Sequence, residues 1–332
     1  MRKTRRTGID KLHTLLFGQD LRITEGEPYC QVRPFDFAAD FEPRHLTKPL
    51  PAPAGEVIDI RTFGADPAAE DNAVAVQQAV DAAAKVGGTV LVDGGSYPMS
   101  TVELRSGVTL FITPGSFLAA RPDGKGFRHK ALLYGRDLTN VTLTGGGGLE
   151  GEGHRFGLRP ALPQNCTKPA NLIDVIEMRR TYRAQLRFAH PSKYGGLLSL
   201  ERCQGVHIHH FLFQNSAHWT CRLQMCRDVR IEYAAIRNNR NVANADGFDI
   251  VGGQDLIFRH CMVSTADDGF VFKHAVWLGS SGEMRHILVE DCRVDSRTNC
   301  IKIGTETTYP ITDVTVRRCR LELQDLYPGA VS

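Results

Sequence analysis

A chain of 332 residues, 42% apolar and 23% charged, is long enough for a sizeable core and has no compositional bias toward disorder. Its formal charge of +3 is dispersed, with no basic run interleaved with aromatics, which argues against a nucleic-acid partner, and no apolar run approaches a membrane span. The nine cysteines form no C-x-x-C pairs and their count is odd, so reduced, buried thiols are expected in place of zinc ligands or a full disulfide framework.

The opening "MRKTRR" is cationic, but the apolar "LHTLLFG" after it is too short for a secretory signal and lacks a small-residue cleavage site. A cytoplasmic location is expected as the chain is written, and a secreted or periplasmic one if its start is misassigned. Residues 1–56, rich in Pro and charge around "LTKPLPAPAG", read as an irregular extension ahead of one domain over 57–332. Asp71 is placed to N-cap a helix over "NAVAVQQAVDAAAKV", which Gly87 and Gly88 terminate.

Short strands follow almost without helical periodicity: "TVLVD", "VTLFI", "VTLTG", "VHIHHF", "VRIEY", "LIFRH", "ILVED" and "VTVRR". Equivalent starts at Val206, Val229, Leu256, Ile287 and Val314 lie 23 to 31 residues apart, an interval that suits stacked coils and is too short for most helix-bearing repeats. The expected fold is all-β: a right-handed parallel β-helix whose short N-terminal helix covers the first, otherwise open coil. A β-propeller is the competing reading, disfavoured because its blades need repeats of roughly 40 to 45 residues. Cys261, Cys292 and Cys319 each close a similar strand and read as one repeated core position.

Three segments align within the chain: "DGFDI" from Asp246, "DGFVFK" from Asp268 and "NCIKIG" from Asn299. Alternation predicts that Phe248, Ile250, Phe270, Phe272, Ile301 and Ile303 point inward, with Asp249, Lys273 and Lys302 outward. On successive coils, about 4.8 Å apart, Asp246 and Asp268 become neighbours and Asp267 makes a third carboxyl. Crowded carboxyls raise the pKa of at least one member, which separates a proton donor from an ionised base, the pair that hydrolysis of a glycosidic bond needs. A single Asp-Gly is ordinarily a turn; "NAD" and "ADD" in one register are what carry weight. Asp249 reads equally as a solvated residue or a substrate contact.

At these residues the chain resembles glycoside hydrolase family 28, the polygalacturonases and related pectin hydrolases. From about Val57 on, "IDIRTFGADPAAEDN…" is similar to the opening of pectin-lyase-like β-helices, while "NSAHWT", "NADGFDI" and "TADDGFVFKH" resemble the family's Asn-x-Asp and Asp-Asp motifs. The resemblance implies an inverting hydrolase with Asp267 as general acid and Asp246 and Asp268 holding the attacking water. It implies a uronide-containing poly- or oligosaccharide as partner, and places Lys273 where similar enzymes carry a lysine that binds a substrate carboxylate. Asn244, Asp249, His274, Asn299 and Lys302 are further candidate substrate contacts, each with a plain structural reading, and no metal or cofactor is expected because the acids have a proton-transfer role and no His/Cys cluster accompanies them.

Two departures stand out. The family's Gly-His-Gly motif falls at "TNC", so Asn299 replaces a histidine with a group that exchanges no proton near neutrality, leaving His274 the nearest imidazole by sequence. The family's Arg-x-Lys motif would fall on a strand starting at "GAVS", where the sequence stops, so C-terminal coils are expected to be missing. Glu306, His154, Arg155, Phe156, Trp219 and Trp277 are further groove candidates, each with a plain turn or packing reading. A saccharide-binding β-helix without catalysis, and a lyase needing Ca²⁺ ligands and an arginine base, are the alternative functions.

Overall fold

A computed structural model describes residues 50, 52–156, 195–239 and 242–323. Most of the 1–56 extension and the "GAVS" segment lie outside the described residues. The described strands pair in parallel and form three sheets of nine, eight and seven strands. The chain visits them in rotation: Arg227–Glu232 joins the nine-stranded sheet, Ala235–Arg237 the eight-stranded, Phe248–Val251 the seven-stranded, and Gly253–Arg259 returns to the first. This is the expected parallel β-helix. The five starts read from the sequence stand in one ladder, Val206 beside Val229, then Leu256, Ile287 and Val314.

Strand alternation builds the core, because every second side chain enters a space enclosed by all three sheets. Phe248, Phe258 and Phe270 are fully buried there, with ring centroids 5.1 to 5.2 Å apart. Each such ring contributes about 1.5–3 kcal/mol through burial, and edge contacts add to that.

The helix spans Ala73–Val86 and buries Ala75, Val76, Ala79, Val80 and Ala83 as one stripe. It packs on the edge strands Val57–Asp59 and Val102–Glu103, so it shields the N-terminal ends of two sheets from further pairing. Asn72, not Asp71, is the N-cap residue and makes no side-chain cap bond; Asp71 instead accepts from the Ala73 N–H at 2.9 Å and the Ser100 N–H at 2.9 Å. The carboxylate thus ties the helix start to the first coil. Gly87, with φ 64°, closes the helix in the left-handed conformation.

The seven described cysteines are free thiols. The Cys261, Cys292 and Cys319 thiols form the expected repeated position, each within 3.8 Å of a carbonyl on the preceding coil. Burial raises the pKa of the Cys221 thiol, as expected for a packing residue with no thiolate role.

One residue expected inside is exposed, and two that face outward as expected are nevertheless sealed from solvent. Ile303 stands in register with the buried Phe272 yet is 66% exposed, because its strand, Ile301–Thr307, is the outermost described strand of the seven-stranded sheet and nothing described packs over it. Asp249 and Lys273 do lie on the outer face, but they are 0% and 4% exposed. Parity sets which face a side chain takes, and what lies over that face depends on residues distant in sequence.

Candidate active site

The acidic residues occupy one corner of two successive coils, with Asn299 at the same corner of the next, where the chain leaves the eight-stranded sheet for the seven-stranded one. Glycine follows Asp246 and Asp268 because the coils run close there. A Cβ on Gly247 would lie 2.4 Å from the Gly269 carbonyl oxygen, and one on Gly269 would lie 2.6 Å from that of Cys300. The Asp-Gly pairs are therefore points of close approach, and they keep the acids in register: Phe248 pairs with Phe270, which places Asp246 beside Asp268. Carboxyl oxygens of Asp246, Asp267 and Asp268 all lie within 4.8 Å of one another.

Each acid has distinct surroundings. Asp268 is 2% exposed and accepts from Asn299 Nδ2 at 2.6 Å and Thr298 Oγ1 at 2.8 Å on one oxygen, and from Lys302 Nζ at 2.6 Å on the other. The carboxylate holds Lys302 above the usual lysine pKa against the opposing effect of burial. Asp267 is half-buried; its oxygens meet the Asn244 N–H at 3.2 Å and the Thr298 hydroxyl at 3.2 Å. Its carbonyl accepts from the Thr265 and Ser296 hydroxyls at 2.6 and 2.7 Å, which fixes the backbone that presents it. Asp246 is 4% exposed, and one of its oxygens has no hydrogen-bond partner. Burial first, then the charges of Asp267 and Asp268, push its pKa up to about 8.

The outer face beside the cluster is closed. Lys273 bonds Glu306 at 2.6 Å and holds its ammonium 4.8 Å from the centre of the Trp219 ring. Trp219 and Lys273 flank the strand carrying Asp249, so their contact spans it. Asp249 has both oxygens unpartnered, and burial followed by the Asp246 charge drives its pKa well above the carboxyl range.

Among the expected substrate contacts, Asn244, Asn299 and Lys302 are at the cluster, although Asn299 and Lys302 bond Asp268 directly. Asn244 adopts φ 56°, a left-handed conformation that asparagine tolerates, and so turns its N–H toward Asp267. His274 is fully buried, donating from Nδ1 to the Pro310 carbonyl at 2.9 Å with its ring against Tyr309, which places it in the wall of the fold and away from the carboxylates. Trp277 is 64% exposed and so does not pack in the core, whereas Phe156 is fully buried.

Three positioning residues were not legible. Asn238 donates to Thr220 Oγ1 at 2.7 Å and to the Ala245 carbonyl at 3.1 Å, and Thr220 donates to the Asp246 carbonyl at 2.5 Å, so the pair braces the Asp246 corner. Thr298, which stands where the motif has glycine, touches two of the acids. For Asn238 the available signal was a polar residue at one offset of three successive coils, Asn238, Thr265 and Ser296.

The three carboxyls are close enough to hold a cation, but both Asp268 oxygens are already occupied by donors. The arrangement is suited to proton transfer, with one carboxyl protonated near neutrality beside another held by a cation.

The profile of glycosyl hydrolases family 28 matches residues 90–325. A polygalacturonase from Arabidopsis thaliana, QRT2, is 22% identical over 298 residues; the match covers 79% of this chain, and the chain spans 61% of that relative's length. The hyperthermoactive exopolygalacturonase of Thermotoga maritima superimposes with a TM-score of 0.62 at 20% identity, over 83% of this chain and 70% of that one. The family 28 exopolygalacturonase of Yersinia enterocolitica gives 0.63 at 18% identity, over 82% and 56%. Both structural likenesses bear on the fold. With the profile covering most of the described coils and all three acids, the chain belongs to glycosyl hydrolases family 28.

Proposed function

We propose that this protein is an inverting glycoside hydrolase acting on galacturonide-containing or related saccharides. The observation that carries the reading is the gathering of Asp246, Asp267 and Asp268 within 4.8 Å, where burial and the neighbouring carboxyls favour the protonated form of Asp246. The three act as one coupled acid–base unit. At rest the proton sits in the buried part of the cluster, on Asp246; Asp267, the most open member, passes it to the departing glycosidic oxygen. Asp268, braced by Lys302, Asn299 and Thr298, orients water toward the anomeric carbon and, with Asp246, receives the proton that the water gives up. Asn299 serves as a hydrogen-bond donor where the family motif has histidine, and Lys302 supplies a positive charge there.

The carboxyls are closer than the ~6.5–9.5 Å usual for inverting pairs, so stereochemistry is a direct test. NMR of the first product should show the anomer opposite to the substrate's; a retained anomer would refute the assigned water. Asp267→Asn should lower hydrolysis of galacturonan oligomers by about 10²–10⁴-fold with an unchanged circular dichroism spectrum. Unsaturated products absorbing in the near ultraviolet would indicate a lyase, and sugar binding without release of reducing ends would indicate a binding protein.

A further inference from the structure

The strand Gln204–His209 and the corner after it bring three imidazoles together on the outer side of the nine-stranded sheet, those of His207, His209 and His210. His207 and His209 share the outward face by strand parity, with Val206 and Ile208 buried on the other. Parity would send His210 inward, but its left-handed backbone, φ 49°, turns the side chain back beside its neighbour. Its Nδ1 lies 3.2 Å from that of His209, and Thr144 Oγ1 lies 3.1 Å from the same His209 nitrogen. Tyr233 stacks on the His210 ring at 5.1 Å, with His260 beyond it at 4.9 Å, so this imidazole is held in a column of rings.

A carboxylate adjoins the pair. Glu232, one coil on, stands in register with His209, and its Oε2 is 3.6 Å from His207 Nε2. The His207 and His209 rings are 4.3 Å apart, so all four groups are neighbours. Two Nδ1 atoms that face each other at 3.2 Å share at most one proton, which leaves a lone pair directed into the gap. A divalent metal in place of that proton takes both lone pairs. Tetrahedral bonds of about 2.0–2.1 Å set their nitrogens about 3.3–3.4 Å apart, close to the spacing already present. Packing alone calls for rings here and does not explain ring nitrogens turned toward each other. Among the described residues only the three aspartates hold three donor groups within 4.8 Å as they stand, so Glu232 swings toward His209 to complete this second set.

We infer that His209, His210 and Glu232 bind a late first-row divalent cation of the zinc class, with His207 positioning the Glu232 carboxylate. Imidazole nitrogens favour zinc, copper or nickel over calcium or magnesium, which separates this site from the all-oxygen acidic corner. Its ligands come from two successive coils of the nine-stranded sheet, whereas the acids lie between the other two sheets. The ion therefore staples coils and takes no part in hydrolysis, and the inference stands apart from the saccharide reading.

The test is titration of the full chain, its thiols kept reduced, with Co²⁺ followed by visible absorption and with Zn²⁺ followed by calorimetry. Co²⁺ should give the d–d bands of a tetrahedral site without a thiolate charge-transfer band, and Zn²⁺ should raise the urea midpoint. His209→Ala should weaken binding by about 100-fold, Glu232→Gln by about 10- to 100-fold and His207→Ala by about tenfold. Glu232→Gln keeps the side chain's shape and reads the same site if His209→Ala disturbs the strand. Asp267→Asn should leave the titration unchanged, and added Zn²⁺ should not be needed for hydrolysis. No saturable binding of either ion would overturn the inference. So would binding that both His209→Ala and Glu232→Gln leave intact, a thiolate band in the Co²⁺ spectrum, or loss of the ion on Asp267→Asn, each of which would put the metal elsewhere.

Discussion

Asp246→Asn removes a carboxyl that the folded chain holds against its own charge. The group moves from an ordinary value of 3.8 to about 8 on folding. Below pH ~3 it is protonated in both folded and unfolded chains and makes no difference. As pH rises toward 8 the unfolded chain releases the proton and the folded one keeps it, so stability falls, by up to ~1.36 kcal/mol per pH unit or roughly 5–6 kcal/mol in all. Relaxation around the ionised group relieves part of this, leaving an expected ~2–3 kcal/mol. Asparagine does not titrate, so the variant should match the wild type at about pH 3 and exceed it by ~2–3 kcal/mol at pH 8.5. Urea denaturation at the two pH values measures both numbers. A stability difference between the proteins that is the same at both pH values would refute the account of a buried, proton-holding Asp246.

Lys302→Met leaves Asp268 buried without its cation and should cost about 1–3 kcal/mol at pH 7, measured by urea midpoint. Because Asp268 raises the Lys302 pKa above 10.5, the lysine's contribution is present at neutral pH and lost only in strong alkali, so the cost should vanish there. Gly269→Ala forces a Cβ to within 2.5 Å of Val294 Cγ1 and 2.6 Å of the Cys300 oxygen, and should destabilise by about 1–3 kcal/mol while lowering turnover, since it displaces Asp268. Dialysis against a chelator should leave hydrolysis unchanged; loss of activity restored by Ca²⁺ would show that the three carboxyls hold a cation.

The site was partly legible because both of its determinants are local in pattern. "DGFDI" and "DGFVFK" share an alternation, and alternation alone fixed their register, so Asp246 beside Asp268 followed without knowledge of any loop. The reason for the glycine was not legible: Asp-Gly signals a turn in isolation, and only the neighbouring coil reveals a backbone within 2.4 Å of the missing Cβ. The Lys302 contact was unreadable for the same reason, since a lysine on an outward position has the same sequence signature whether it meets solvent or Asp268.

The sequence by itself determined the repeat, the pairing ladder from Val206 to Val314 and the convergence of three acids, since strand period and coil spacing are properties of neighbouring residues. Tertiary structure alone decided which outer-face charges are paired or sealed. Lys273 closes on Glu306 33 residues away, and Arg222 lies against a carbonyl 56 residues away. Glu306 stands on the neighbouring strand past a register shift and Leu278 on a turn, so no local pattern announces either contact, and at a partly buried position the partner sets the charge state of a group and hence its chemistry.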